Sequence, residues 1–354
     1  MAKIDPLFDQ LIQDNGSDLH LHEGRQPRYR INGSLIPMPN QAAVPEMQMV
    51  ALLHEICPKE KWSIFEATGD VDFAYAHRNK ARFRVNYNMN NHGNSAVFRL
   101  IPPIISNLHE IGAPDALRQF AVYPSGLCLV TGPTGSGKST TLAALIDDIN
   151  TSQSRLILTV EDPIEFVHTN KKCTVIQREV GDDVDSFGLA LRNGVRQDVQ
   201  VILVGEMRDL ETVELAMTAA EMGMLVFATL HTNSAVRTVD RIIDVFPADQ
   251  QSNVRESLAN SLRAICSQRL LKRADGRGRI AAHEIMFQTP AVANLIRENK
   301  TNQLPQVIMS NRAMGMQLLD DVLQNYVKQG LVTGQEAYRK ANEKEGFRQF
   351  VPGA

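Results

Sequence analysis

The glycine-rich segment 132–139, Gly-Pro-Thr-Gly-Ser-Gly-Lys-Ser, fits the P-loop pattern G-x-x-x-x-G-K-[ST]. It follows an apolar run and precedes a predicted helix, so backbone N–H groups and a helix N-terminus can face one anion. Lys138 is expected to contact the β- and γ-phosphates of ATP, and Ser139 to ligate Mg²⁺. The residues expected to bind the nucleotide are Gly132, Thr134, Gly135, Ser136, Gly137, Lys138, Ser139 and Thr140.

Two acidic clusters follow predicted strands, where a nucleotide-hydrolysing site would need carboxylates. The first is Glu-Asp-Pro-Ile-Glu at 161–165, and the second is Glu206, which follows Gly205. Hydrolysis needs one group that holds the attacking water and a second carboxylate that organises the metal. Acids at loop starts are also common without any function, so a solvated strand end remains the alternative for each cluster.

From residue 126 onward, short apolar strands alternate with loops and helices. Strands are predicted at 126–131, 155–160, 201–204 and 225–229. This alternation predicts a mostly parallel sheet with helices on both faces. After Phe246 the pattern predicts helices at 250–270, 291–298, 317–328 and 335–343.

The first hundred residues predict a small α+β domain. A helix is predicted at 47–56, and strands at 71–75, 81–87 and 96–100. Asn32-Gly33 predicts the turn of a hairpin at 28–36, because both residues accept positive φ. Pro102-Pro103, Gly112 and Pro114 break regular structure. The predicted organisation is an N-terminal domain at 1–101, a linker at 102–124 and an α/β domain at 125–354.

The composition excludes several classes of protein. Hydrophobic residues make up 43% and charged residues 22%, as in folded globular proteins, and the net charge of −3 gives no general attraction to nucleic acid. The apolar runs fall far short of the ~18 residues of a membrane span, and the N-terminus does not resemble a signal peptide. We therefore expect a cytoplasmic protein. Its four cysteines are scattered singly, which predicts reduced thiols and no metal on sulfur.

Several segments together resemble the secretion-type ATPases, the motors of type II secretion and type IV pili. Phe-Ala-Thr-Leu-His-Thr-Asn-Ser at 227–234 resembles their His box, 159–165 their Asp box, and Gly-Glu-Met-Arg-Asp at 205–209 their Walker B segment. Residues 16–21 and 291–298 resemble more narrowly the PilT-like retraction motors of type IV pili. The resemblance extends over nearly the whole chain.

This resemblance implies a PAS-like N-terminal domain, a RecA-like ATPase domain with a helical C-terminal region, and a homohexamer that binds ATP and Mg²⁺ between its domains. It also implies a pilus platform protein of the inner membrane as partner, and it leaves room for a second paralogous motor. One tryptophan and a net charge of −3 predict no nucleic-acid partner. A motor for pilus assembly, protein secretion or DNA movement is a weaker alternative. Assembly motors have longer N-termini and a four-cysteine zinc module, and we expect neither feature in this chain.

The same resemblance assigns roles to five residues. Glu161 would position or activate water, Glu206 would support Mg²⁺, and His231 would lie near the γ-phosphate or the subunit seam. Arg82 and Arg84 alternate on one strand and would contact nucleotide across the seam. On spacing alone, a structural histidine and a solvated strand face remain the alternatives.

Two departures from the family pattern affect how strongly the chain should hydrolyse ATP. Met224 stands where the family has a histidine, and Asp198-Val-Gln200 replaces Asp-Pro-Asp. A thioether cannot carry a proton as an imidazole does, so the contribution of that side chain is missing. A weakly active or inactive accessory paralogue is therefore the second hypothesis.

Overall fold

A computed structural model describes residues 2–31, 33–78, 80–101 and 104–351. The chain forms two compact units that divide between Ile104 and Ile105. Asn32, in the predicted hairpin turn, and Pro102-Pro103, at the start of the predicted linker, lie outside the described residues. Each unit has its own hydrophobic core.

The first unit is a six-stranded antiparallel sheet in the order β3-β2-β1-β6-β5-β4, with three helices. Ala81, Phe83, Val85 and Tyr87 are buried on one face of β5, so strict alternation places this face against the helices. The elements are α1 Asp5–Gln13, β1 Asp18–His22, β2 Arg28–Ile31, β3 Ser34–Pro37, α2 Glu46–Ile56, α3 Lys59–Thr68, β4 Asp70–His77, β5 Ala81–Asn90 and β6 Gly93–Ile101.

The second unit contains a seven-stranded sheet in the order β13-β12-β7-β11-β10-β8-β9. All neighbouring strands are parallel except the antiparallel pair β12 and β13, which confirms the mostly parallel sheet. The strands are β7 Gly126–Thr131, β8 Leu156–Glu161, β9 Thr174–Glu179, β10 Val201–Val204, β11 Leu225–Leu230, β12 Leu262–Lys272 and β13 Arg279–Phe287. Every residue of β7, β10 and β11 is buried, as expected for strands covered on both faces.

Helices surround this sheet and form most of the C-terminal region. They are α4 Arg118–Val122, α5 Lys138–Ser152, α6 Phe187–Gly194, α7 Leu210–Glu221, α8 Ala235–Asp244, α9 Gln251–Ser261, α10 Pro290–Arg297, α11 Leu304–Ser310, α12 Leu319–Lys328 and α13 Gly334–Lys340. The segment 105–124 belongs to this unit, and its α4 buries Phe120 in the core. None of the described helices is long and apolar enough to cross a membrane.

The helix predicted at 250–270 is wrong in its second half. Helix α9 ends at Ser261, and β12 then pairs in parallel with β7. A short apolar run such as Leu262–Lys272 has no period that separates a buried strand from a buried helix. Strands β9 and β13 are further elements that the sequence pattern does not predict.

Candidate nucleotide-binding site

The predicted P-loop connects the end of β7 to the start of α5, as the motif requires. Gly132, Gly135 and Gly137 have φ values of +146°, +76° and +90°, a region that side chains rarely tolerate. Glycine at these positions therefore allows the loop to turn tightly before the helix begins. Within the loop Thr134 is exposed and Ser136 is buried, whereas Ser139 and Thr140 are half-buried in the first turn of α5.

The Lys138 side chain folds back over the loop. Its Nζ donates to the carbonyl oxygen of Gly132 at 3.0 Å and lies 3.5 Å from Nδ1 of His231. Burial lowers the pKa of Lys138, while the negative charges of Glu206 and Glu165 oppose that shift. The ammonium group is thus placed beside the phosphate cradle and is partly compensated by two carboxylates.

Glu206 and His231, which lie 25 positions apart in the sequence, meet at the carboxyl end of the sheet. Nε2 of His231 lies 3.0 Å from Oε1 of Glu206. Because an ammonium group can only donate, Nδ1 facing Lys138 suits the tautomer whose Nε2–H donates to Glu206. Arg208 Nε donates to the other oxygen of Glu206 at 2.8 Å. The four side chains form one continuous polar row beside the P-loop.

Glu161 ends β8, next to the strand that carries Glu206. The N–H of Gly205 donates to the carbonyl oxygen of Val160 at 2.8 Å, so the two acidic segments leave the sheet side by side. Oε1 of Glu161 accepts from Thr159 Oγ1 at 2.7 Å and from Gln177 Nε2 at 3.2 Å. Burial raises the pKa of Glu161, although these two hydrogen bonds oppose the shift. A carboxyl group with a raised pKa is a stronger proton acceptor than an ordinary glutamate.

Arg82 and Arg84 lie on β5 of the first unit, and both are half-buried on the face opposite its hydrophobic core. The alternation that the sequence indicates is therefore present. The other predicted site residues all belong to the second unit.

The sequence pattern predicts no role for Arg208, Gln177 or Gln268. Arg208 donates to Glu206 and lies 3.7 Å from Asp162 Oδ2. Its position in the Walker B-like segment, two residues after Glu206, is the one sequence feature that could have indicated a role. Gln177 lies on β9, a strand that the sequence pattern does not predict. Gln268 lies on β12, within the stretch predicted as helix, and its side chain reaches the P-loop.

The two departures from the family pattern lie at the amino ends of the strands, opposite the carboxyl ends where the candidate site lies. Met224 is buried directly before β11, and its carbonyl oxygen accepts from Gly126 N at 2.9 Å. Gln200 directly precedes β10, and its Oε1 accepts from Leu156 N at 2.7 Å. At about 3.3 Å per residue, the six residues of β11 place Met224 about 20 Å from the carboxyl end of its strand, and the four residues of β10 place Gln200 about 13 Å from the carboxyl end of its own. Within one chain, neither residue reaches the site.

A family model described as "Type II/IV secretion system protein" matches residues 1–345. This chain belongs to that family. A Pseudomonas aeruginosa protein named "Type IV pilus retractation ATPase PilT" is 48% identical, with 95% of this chain and 97% of the relative covered. A Neisseria gonorrhoeae "Twitching motility protein" is 49% identical, with 91% of this chain and 86% of the relative covered.

Solved structures agree with the type II/IV secretion system assignment. A structure entitled "Crystal Structure of the Pilus Retraction Motor PilT and Bound ADP" superposes with a TM-score of 0.90 at 42% identity, covering 99% of this chain and all of that one. The predicted fold class, a small N-terminal domain followed by a P-loop ATPase domain, is confirmed. So is the predicted resemblance to retraction ATPases.

Proposed function

We propose that this chain is an ATP-hydrolysing motor subunit that drives retraction of type IV pili. The observation that carries the proposal is the polar row Lys138, His231, Glu206 and Arg208 beside an intact P-loop. It occurs in a chain that matches retraction ATPases over nearly its full length. Twitching motility is the cellular activity that this function would serve.

The P-loop fits the phosphates of a nucleotide. A Cβ at Gly132 would lie 2.3 Å from the carbonyl oxygen of Gln268, so the start of the loop has space for backbone only. The loop N–H groups and the N-terminus of α5 then bind the phosphates, and Lys138 exchanges its bond to Gly132 for the β- and γ-phosphates. The predicted ligands Thr134, Gly135, Ser136, Gly137 and Thr140 complete this cradle.

Ser139 and Glu206 fit Mg²⁺, because a hydroxyl and a carboxylate are the hard oxygen ligands that this ion prefers. Mg²⁺ is commonly held in proteins by one or two carboxylates together with substrate phosphates, and Ser139 and Glu206 would supply the protein ligands of such a site. When bound, Mg²⁺ would neutralise charge on the β- and γ-phosphates. His231 would keep Glu206 oriented through its 3.0 Å contact.

Glu161 is the group that we assign to the attacking water. Its burial and raised pKa suit it to accept a proton, and its bonds to Thr159 and Gln177 fix the orientation of the carboxylate. Arg82 and Arg84 would supply positive charge to a nucleotide bound across a subunit seam, where such arginines accelerate hydrolysis.

A closed homohexamer is the assembly that we propose, because a shared site needs a ring to give every interface a partner. We further propose a cytoplasmic location, with peripheral docking on a pilus platform protein of the inner membrane. We also propose that a second, paralogous motor serves the same pilus. These partners rest on similarity to retraction ATPases.

The experiment is complementation of a strain that lacks the gene. Wild-type chain should restore twitching, whereas Glu161→Gln should not, at equal protein levels by immunoblot. Gln288→Met, which alters a glutamine remote from the P-loop, serves as the matched control and should restore twitching. Full twitching with Glu161→Gln would overturn the motor function and favour the accessory alternative, in which a second motor hydrolyses the ATP.

A further inference from the structure

Gln268 is a buried glutamine that contacts the P-loop from behind. Only 3% of its surface is exposed, and it lies on β12 directly after Ser267, which pairs with the last residue of β7. Its Nε2 donates to the carbonyl oxygen of Ser136 at 2.7 Å, and its Oε1 accepts from Oγ1 of Thr141 at 2.8 Å. One amide group thus holds both the loop and the first turns of α5.

Two glycines of the loop lie against the same residue. A Cβ on Gly132 would approach the backbone oxygen of Gln268 to 2.3 Å, and a Cβ on Gly137 would approach its Nε2 to 2.9 Å. Contacts under 3.0 Å do not occur for real Cβ atoms, so Gln268 occupies the space that side chains at these positions would need. The close packing of the loop therefore depends on glycine at these two positions and on Gln268 beside them.

The bond to Ser136 also sets the direction of a neighbouring N–H group. In a trans peptide the C=O and the following N–H point in opposite directions. Because the Ser136 carbonyl points toward Gln268, the N–H of Gly137 points away from β12, toward the side where a P-loop holds its phosphates. Loss of this bond would free the peptide to rotate and would remove a preorganised donor.

We propose that Gln268 is a positioning residue for nucleotide binding and hydrolysis, one that fixes the phosphate cradle without touching the nucleotide. Both atoms of its amide are already engaged with Ser136 and Thr141, and the side chain is buried beneath the loop. The inference rests on the proposed ATPase function, since it explains how the same P-loop is kept in a binding-competent shape.

The test compares Gln268→Met with Gln288→Met in the full-length protein. Methionine keeps the length and apolar volume of glutamine but cannot replace its amide hydrogen bonds. Gln288 also donates through Nε2 to a backbone carbonyl, that of Ala259 at 3.0 Å, but far from the loop. The measurements are the Kd of a fluorescent ADP analogue, the steady-state KM and kcat for ATP, and the elution volume of the assembly.

Gln268→Met should weaken ADP binding by about tenfold and raise the KM for ATP similarly, the effect of losing one to two hydrogen bonds. Gln288→Met should stay within about twofold of wild type. A purely structural role predicts an altered elution volume with normal affinity in the folded fraction. Normal Kd and KM in a folded Gln268→Met would overturn the proposal.

Should Gln268→Met fail to fold, Thr141→Val decides the question, because it removes only the hydroxyl that anchors Oε1. It should weaken ADP binding about threefold, and unchanged binding would overturn the proposal. A wild-type protein without ATP binding or turnover would refute the proposed function, whereas an active wild type with an equally active Gln268→Met would refute this inference alone.

Discussion

At the scale of single residues, substitution of Glu161 distinguishes a protein that hydrolyses ATP from one that only binds it. Glu161→Gln keeps the size of the side chain but removes its charge and basicity, so ATP should still bind while turnover falls by about 10² to 10⁴. Single-turnover hydrolysis and nucleotide affinity measure the two effects. Glu206→Gln is the matched comparison, and its activity should depend more steeply on Mg²⁺ concentration.

The raised pKa of Glu161 gives this prediction a pH signature. A general base must be ionised, so lowering the pH should reduce kcat/KM before an ordinary glutamate, with a pKa of about 4.3, would be protonated. In Glu161→Gln this acid limb should be absent from the residual activity. An unchanged rate, or an acid limb that persists in the variant, would show that another group handles the water.

At the scale of elements, the candidate site lies at the carboxyl ends of the parallel strands. Met224 lies at the amino end of β11, about 20 Å from the cradle by strand length. Met224→His should therefore leave the turnover of the purified assembly within about twofold, while the buried imidazole costs about 1 to 3 kcal/mol of stability. A clear rise in the steady-state rate would show that this departure does weaken the motor.

A buried histidine on β13 predicts how the second unit responds to acid. Burial lowers the pKa of His283 to about 4, below its unfolded value of about 6.5. The group must therefore be neutral in the fold. Its stabilising contribution is complete above pH 6.5 and is lost as the pH falls toward 4, by about 2 kcal/mol at pH 5. The measurement is urea unfolding without nucleotide at pH 7 and pH 5.

The control for this prediction is His283→Gln. Because glutamine does not titrate, this variant should lose about 2 kcal/mol less stability than wild type between the two pH values. His168, whose pKa burial also lowers to about 4, adds the same dependence in both proteins and cancels from the comparison. Identical losses in the two proteins would contradict the assignment to His283.

Features that depend on a short stretch of residues could be predicted from the sequence, whereas features that depend on strand order could not. The P-loop and the strands β7 and β10 have bounds that match their predictions, because a glycine-rich turn after an apolar run is a local pattern. The contact between Glu206 and His231 depends on strand order, which no local pattern contains. Gln268 was missed for a related reason: β12 reads as a continuation of α9, and its role depends on pairing with β7.

At the scale of the whole molecule, the proposed ring makes a direct prediction about mass. Light scattering during gel filtration, at micromolar concentration with ATP and Mg²⁺, should give a single species of about six times the 39.4 kDa of one chain. A protein with a site shared between subunits should also lose activity on dilution below its assembly concentration. A strict monomer with full activity at every concentration would rule out the shared site.

The central claim, that this chain hydrolyses ATP at its P-loop, is tested most directly by steady-state ATP hydrolysis of the purified wild-type assembly beside Lys138→Ala. Removing the ammonium group takes away the charge placed 3.0 Å from the Gly132 carbonyl at the mouth of the cradle. We predict Mg²⁺-dependent turnover by wild type and a loss of at least about a hundredfold in the variant, equivalent to about 2.7 kcal/mol of transition-state stabilisation. Wild-type turnover in a folded Lys138→Ala, or no turnover in wild type, would contradict the claim.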